Sequence, residues 1–158
     1  MSRGKVLAVC TSDRTGVPKH AIEAGTLRAD WGLEGDAHAG NWHRQVSLLG
    51  AESIAKVKAA GINVKHGAFA ENIVTEGLVL YALPVGTRMR LGDALCEITQ
   101  IGKECHTHCA IYEITGDCVM PREGIFVRVL EGGTVRAGDA VEVLPSETCA
   151  MTGDQPAQ

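Results

Sequence analysis

Apolar residues in this chain come as short runs cut apart by glycines, and that punctuation constrains the fold more than any single motif does. There are nineteen glycines. Short apolar runs bounded by turn residues read as strands, so the chain is expected to be mainly β. Val6 to Cys10 is the first predicted strand and Arg44 to Leu49 another. Ala51 to Ala60 breaks the pattern, because Ile54 and Val57 recur at helical spacing and Gly61 follows as a stop. In TRMRLGDALCEIT, Thr87 to Thr99, two strand-like runs flank Gly92-Asp93, a dipeptide suited to a tight hairpin turn. GTRMRLGDA (from Gly86) is echoed with one residue deleted by GTVRAGDA (from Gly133), which predicts a second hairpin built alike.

With 158 residues the chain fits one domain burying roughly 70% of its unfolded surface, which gives it a core without disulfide staples. That domain is expected over residues 1–145. SETCAMTGDQPAQ, residues 146–158, lacks apolar periodicity and is expected to be a disordered tail. In MSRGKVLAVCTSD the apolar run Val6 to Cys10 is too short for a signal peptide or a membrane span, so a soluble cytoplasmic protein is expected, with no membrane partner. The six cysteines then read as thiols, ligands or buried hydrophobes. A net charge of -4 and an aromatic content of 4% argue against nucleic acid as a partner, since neither a basic surface nor stacking platforms are supplied.

Chemistry concentrates in KECHTHC, Lys103 to Cys109, directly after the predicted strand Ala94 to Ile101. Three uses compete: a metal held by the protein, a reactive thiolate, or a metal that arrives inside a cofactor. A continuing strand would set Cys105, Thr107 and Cys109 on one face and His106 and His108 on the other, whereas a helical turn would pair Cys105 with Cys109. Neither arrangement gives four tetrahedral ligands. A structural zinc would need completion from Cys118 or His38, and the usual second paired motif is absent. The plainer reading is buried cysteines with solvated histidines.

GLEGDAHAGNWHRQVS, Gly32 to Ser47, gathers three glycines, His38, His43, Asp36 and Arg44 just before a strand. Backbone amides in such a loop approach an anion closely, and Arg44 can clamp it bidentately. The loop matches neither a Walker A nor a dinucleotide fingerprint. In HGAFAENIVTEG, Asn72 offers both a donor and an acceptor for a heterocycle edge, or else bonds backbone as a turn residue. GDCVMPREGIFVRV adds Cys118, Arg122 and Arg128, with Arg122 after Pro121 on an exposed turn.

Taken in order, GLEGDAHAG, HRQVSLL, GAFAENIVTEGLVL, LPVGTRMRLGDALCEIT, a following cysteine, and GDCVMPREGIFVRVLEGGTVRAGDAVEVL resemble the MOSC domain family, named for the C-terminal domain of molybdenum cofactor sulfurase. The likeness runs from Gly4 to Leu144. It implies a distorted β-barrel with a few short helices, and binding of the molybdenum cofactor (molybdopterin), whose pterin dithiolene chelates the metal and carries a phosphate. It implies that Cys105 is the thiolate on metal or carried sulfur; Cys109 and His108 beside it are read as auxiliary ligands. By the same resemblance Arg44 and the Gly35 to Gly40 loop, with Asp36, face the anionic end; beside them His38 is read as helping to hold that end, Asn72 as addressing the pterin, and Arg122 as screening charge at the rim. His106, Thr107, His108 and Cys109 make the cysteine segment richer than the family requires.

The implied activity is handling of the cofactor or its sulfur ligand while molybdoenzymes mature, with a sulfur donor or a molybdoenzyme acceptor as partner. One alternative is a molybdenum-dependent reductase of N-hydroxylated compounds fed with electrons by another protein. Another is a zinc-stapled interaction domain, which would bind neither pterin nor molybdenum.

Overall fold

The computed structural model describes residues 3–14, 17–59, 61, 64–102 and 123–145. The mainly β expectation holds. Seven strands close into a barrel: β1 (Arg3–Thr11), β5 (Val46–Gly50), β6 (Ile73–Glu76), β7 (Arg88–Leu91), β8 (Ala94–Ile101), β9 (Ile125–Glu131) and β11 (Ala140–Val143). Around the barrel the order is β1, β11, β7, β8, β9, β5, β6 and back to β1, antiparallel except for the parallel pair β5 and β6. A parallel pair needs a crossover, and α1 (Ala51–Ala59) lies in it. β2 (His20–Ile22) pairs with the last residues of β1, while β3 (Ala24–Arg28), β4 (Gly32–Leu33) and β10 (Gly133–Arg136) form a separate three-stranded sheet.

Strand alternation divides the core in two. Val9, Leu48, Ile73 and Val127 point into the barrel, where Leu27, Leu33 and Val135 of the small sheet join them. Their sequence neighbours Cys10, Leu49, Val74 and Phe126 point outward, beneath Ile54 and Val57 of α1. Each of those two helix residues contributes about 1.5–3 kcal/mol by burial. Val6 and Val9 both face the interior although they are three apart, because β1 shifts register between Val6 and Ala8. A bulge there inserts the extra residue.

The Gly92-Asp93 hairpin forms between β7 and β8 as the sequence predicts. GTVRAGDA does not make the second hairpin. β10 pairs with β3, whereas β11 pairs with β7 and β1, so the turn at Gly138-Asp139 carries the chain from one sheet to the other. The two similar turns instead pack together: Asp93 N–H donates to Thr134 O at 3.1 Å and Gly92 N–H to Ala140 O at 3.2 Å.

No helix among the described residues is long and apolar enough to cross a membrane. Cys105, His108, Cys109, Cys118, Arg122 and the tail 146–158 lie outside the described residues.

Candidate functional site

Polar side chains gather where β1 ends. Asp36, in the loop after β4, turns its fully buried carboxylate onto that end. It accepts Thr11 Oγ1 at 2.9 Å, Ser12 N–H at 3.2 Å, His38 N–H at 3.0 Å and Lys19 Nζ at 2.9 Å. Burial alone would raise this carboxyl, but hydrogen bonds from the His38 backbone N–H and from Lys19, with the Lys19 charge, outweigh it and hold the group well below the ordinary carboxylate range. The loop reaches this position through Gly32 and Gly35, whose φ values of 123° and 82° other residues rarely adopt.

Lys19 is the residue that the sequence did not single out. Its side chain is fully buried, and its ammonium donates to Ser12 Oγ at 3.0 Å and Asp36 Oδ1 at 2.9 Å, with His38 Nδ1 at 3.0 Å. Its backbone N–H bonds Gly67 O at 2.8 Å. The fit there is close: a Cβ on Gly67 would stand 2.1 Å from Lys19 O. Glu71 closes the same loop, accepting Gly67 N–H at 2.7 Å and Phe69 N–H at 3.0 Å while fully buried. Burial raises its carboxyl, opposed by those backbone bonds and by the Lys19 charge. Cys10 lies in this surrounding too, its thiol pushed up to about 12 by burial and by Glu71, which makes it an inert core residue.

From His38 the site runs outward to Arg44. The His38 carbonyl accepts Trp42 Nε1 at 2.8 Å, and the Arg44 guanidinium stacks 4.7 Å from the Trp42 ring centroid and 5.6 Å from that of Phe126. Arg44 Nε is buried and has no acceptor among the described residues. Such an orphaned donor costs about 1–3 kcal/mol, so a ligand acceptor there removes a penalty already present. Both tryptophans of the chain, Trp31 and Trp42, are exposed beside this loop, and Arg28 stacks 5.7 Å over Trp31.

His43, next to Arg44, ties the loop to the end of β8. Its Nε2 lies 2.9 Å from Gln100 Oε1, and its carbonyl accepts the Thr99 hydroxyl. Gln100 in turn donates to Gly102 O at 2.7 Å, and Gly102 N–H bonds Gly124 O at 2.6 Å. The points at which the chain enters and leaves residues 103–122, the stretch with Cys105, are therefore one hydrogen bond apart and joined to the Arg44 loop.

The structure brings Asp36 and His38 together in the loop of Gly35 and links Arg44 to them through Trp42. It turns Asn72 into the protein instead: that side chain is fully buried, Nδ2 donates to Cys10 O at 3.1 Å, and Oδ1 accepts Ser47 N–H at 3.0 Å and Ser47 Oγ at 3.2 Å. Asn72 thus fastens β5 to the end of β1. Gln45, also unflagged by the sequence, is fully buried, accepting Val129 N–H at 3.0 Å and donating to Asp30 at 3.1 Å. Among the described residues no cluster of three or more His, Cys, Asp or Glu is arranged to hold a metal ion.

The sequence profile of the MOSC domain matches residues 35–142. Among solved structures, the YuaD protein from Bacillus subtilis superposes with a TM-score of 0.74 at 18% identity, covering 89% of this chain and 95% of that one. YiiM from Escherichia coli gives 0.65 at 23% identity, covering 92% and 71%, and YiiM from Geobacillus stearothermophilus 0.62 at 17%, covering 90% and 73%. Likenesses at these identities concern the fold. No curated protein sequence matches.

Proposed function

The chain belongs to the MOSC domain family, and from that premise we propose that it binds the molybdenum cofactor and handles the cofactor or its sulfur ligand during maturation of molybdoenzymes. The observation that carries this reading is Arg44, whose buried Nε–H has no acceptor among the described residues while two aromatic rings hold its guanidinium in place. A planar, permanently charged fork fixed in this way suits a phosphate. When bound, the cofactor would supply a molybdenum centre on a pterin dithiolene with an anionic phosphate. The chain's residues would then do the holding.

Arg44 takes the phosphate and the His38 side chain adds a donor, because the N–H groups of residues 36–40 in the loop are already bonded within the protein. Asp36 serves indirectly, by fixing that loop on β1. Cys105 is the thiolate on the metal or the sulfur it carries, Cys109 and His108 tune it, and Arg122 screens charge at the rim. A soft thiolate suits either duty. Support for joining the two halves comes from the Thr99 and Gln100 bonds to His43, which bring the stem of the cysteine segment to the Arg44 loop.

Transfer is the test. Cofactor-loaded protein mixed with an apo-molybdoenzyme should activate that enzyme, and Cys105→Ser should abolish the transfer. Turnover of an N-hydroxylated compound with a chemical reductant, without transfer, would replace the carrier reading with a reductase.

A further inference from the structure

We infer that Lys19 is a positioning residue for the anion site: its buried ammonium fixes His38 as the tautomer protonated on Nε2 and so presents a single, oriented N–H donor to the ligand. The inference rests on the reading of this loop as an anion site and deepens it. A lysine near an anion site would ordinarily be taken as a direct ligand. Here the ammonium has three N–H groups and three partners, Ser12 Oγ at 3.0 Å, Asp36 Oδ1 at 2.9 Å and His38 Nδ1 at 3.0 Å, and its side chain has no exposed surface. It has no donor left to offer.

The consequence falls on the imidazole. An ammonium only donates, so the nitrogen it meets must carry the lone pair, which leaves the ring proton of neutral His38 on Nε2. Turning the ring over would set Cδ2–H against the ammonium, replacing a hydrogen bond with a repulsion. Asp36 Oδ2 does not compete for Nδ1, because 3.7 Å exceeds hydrogen-bond range. The backbone of His38 is clamped on both sides, its N–H on Asp36 at 3.0 Å and its carbonyl on Trp42 Nε1 at 2.8 Å. The side chain is 27% exposed, and with Nδ1 on the buried ammonium Nε2 lies on the opposite edge of the ring. Donation into Nδ1 also polarises Nε2–H, since hydrogen bonds in series strengthen one another.

The assay reads the tautomer directly. Protein labelled with nitrogen-15 in its histidines, free of ligand and at neutral pH, is examined by two-bond nitrogen–proton correlation, and inorganic phosphate is then titrated in. The expected His38 pattern is an unprotonated Nδ1 and a protonated Nε2 that moves with phosphate. An asparagine amide reaches only the Nδ1 position, whereas a glutamine amide reaches Nε2. His38→Gln should therefore keep phosphate affinity near that of the wild type, and His38→Asn should lose roughly 10- to 100-fold, as expected for a missing bond to a charged group.

Lys19→Met should leave the two tautomers mixed. Because that variant strands Asp36, the wild-type spectrum decides if it does not fold. Protonation on Nδ1, on both nitrogens, or averaging between them in the wild type would overturn the inference, as would equal affinity in the Gln and Asn variants. An Nε2–H tautomer that phosphate leaves unmoved would instead overturn the anion reading of the loop and leave the Lys19 to His38 arrangement standing.

Discussion

Replacing Asp36 by alanine is expected to destabilise the protein more than any other change in the loop, and the reason can be worked from its partners. The Lys19 and Asp36 side chains are both fully buried, 2.9 Å apart. Removing one member of such a pair strands the other charge and costs about 3–5 kcal/mol. Thr11 Oγ1, Ser12 N–H and His38 N–H lose an acceptor at the same time. In a chain of this size that corresponds to a fall in Tm of roughly 6–20 °C, at about 2–4 °C per kcal/mol. Asp36→Asn keeps an oxygen and the shape, so about half the loss is expected, while Lys19→Met with Asp36→Leu removes both charges and should recover most of it.

The pH dependence has a definite sign. A carboxyl held below its unfolded value, which is about 3.9, contributes stability that is complete above that value and is lost as pH falls through the folded one. The gap between wild type and Asp36→Asn should therefore shrink on acidification below about pH 4. Glu71 is shifted the other way, and it cancels in that difference. Urea unfolding across pH 3–8 is the assay. A loss below about 1 kcal/mol for Asp36→Ala, or a gap that does not change with pH, would refute the claim that this pair is dry and mutually dependent.

Arg44→Ala should weaken cofactor binding by about 2–5 kcal/mol, with Arg44→Lys rescuing only part because the fork is lost, as read by titration of the cofactor. Unchanged binding would make the loop structural. Burial pushes both the Cys10 and the Cys96 thiols up to about 12, so neither should react with a maleimide at neutral pH until the protein is unfolded, and serine at either position should cost about 1–3 kcal/mol. Gly67→Ala should destabilise by more than about 1–2 kcal/mol, because φ there is 93° and the new Cβ would meet Lys19 O. A neutral melting curve would show that the 67–71 loop can move away from Lys19.

What the sequence made legible was local. The Gly92-Asp93 hairpin is written in one dipeptide and its flanks, and α1 in the spacing of Ile54 and Val57, so both could be placed from their own residues. The second GD turn looked identical, yet its strands found partners far away, β3 for one and β7 and β1 for the other. Nothing within GTVRAGDA encodes that choice. The site shows the same division. Asp36, His38 and Arg44 stood out because a glycine-rich loop concentrates them, whereas Lys19 sits in GVPKHAIE, where a lysine reads as solvated and only its fold-wide partners make it buried. Asn72 stood out as a polar residue at a strand start, but its duty depends on Cys10 and Ser47, which are 62 and 25 positions away.

The central claim is that this barrel carries a pterin-bound metal, and the most direct measurement is what the protein holds when purified from cells that make the molybdenum cofactor. Elemental analysis together with pterin fluorescence after oxidation should find molybdenum and pterin in about equal amounts, since one cofactor contains one of each. Both should be lost in Arg44→Ala and in Cys105→Ser, with the thermal transition of Cys105→Ser unchanged because its duty is ligation. Absence of pterin, with stoichiometric zinc whose chelation removes the thermal transition, would contradict the account and make KECHTHC part of a structural metal site.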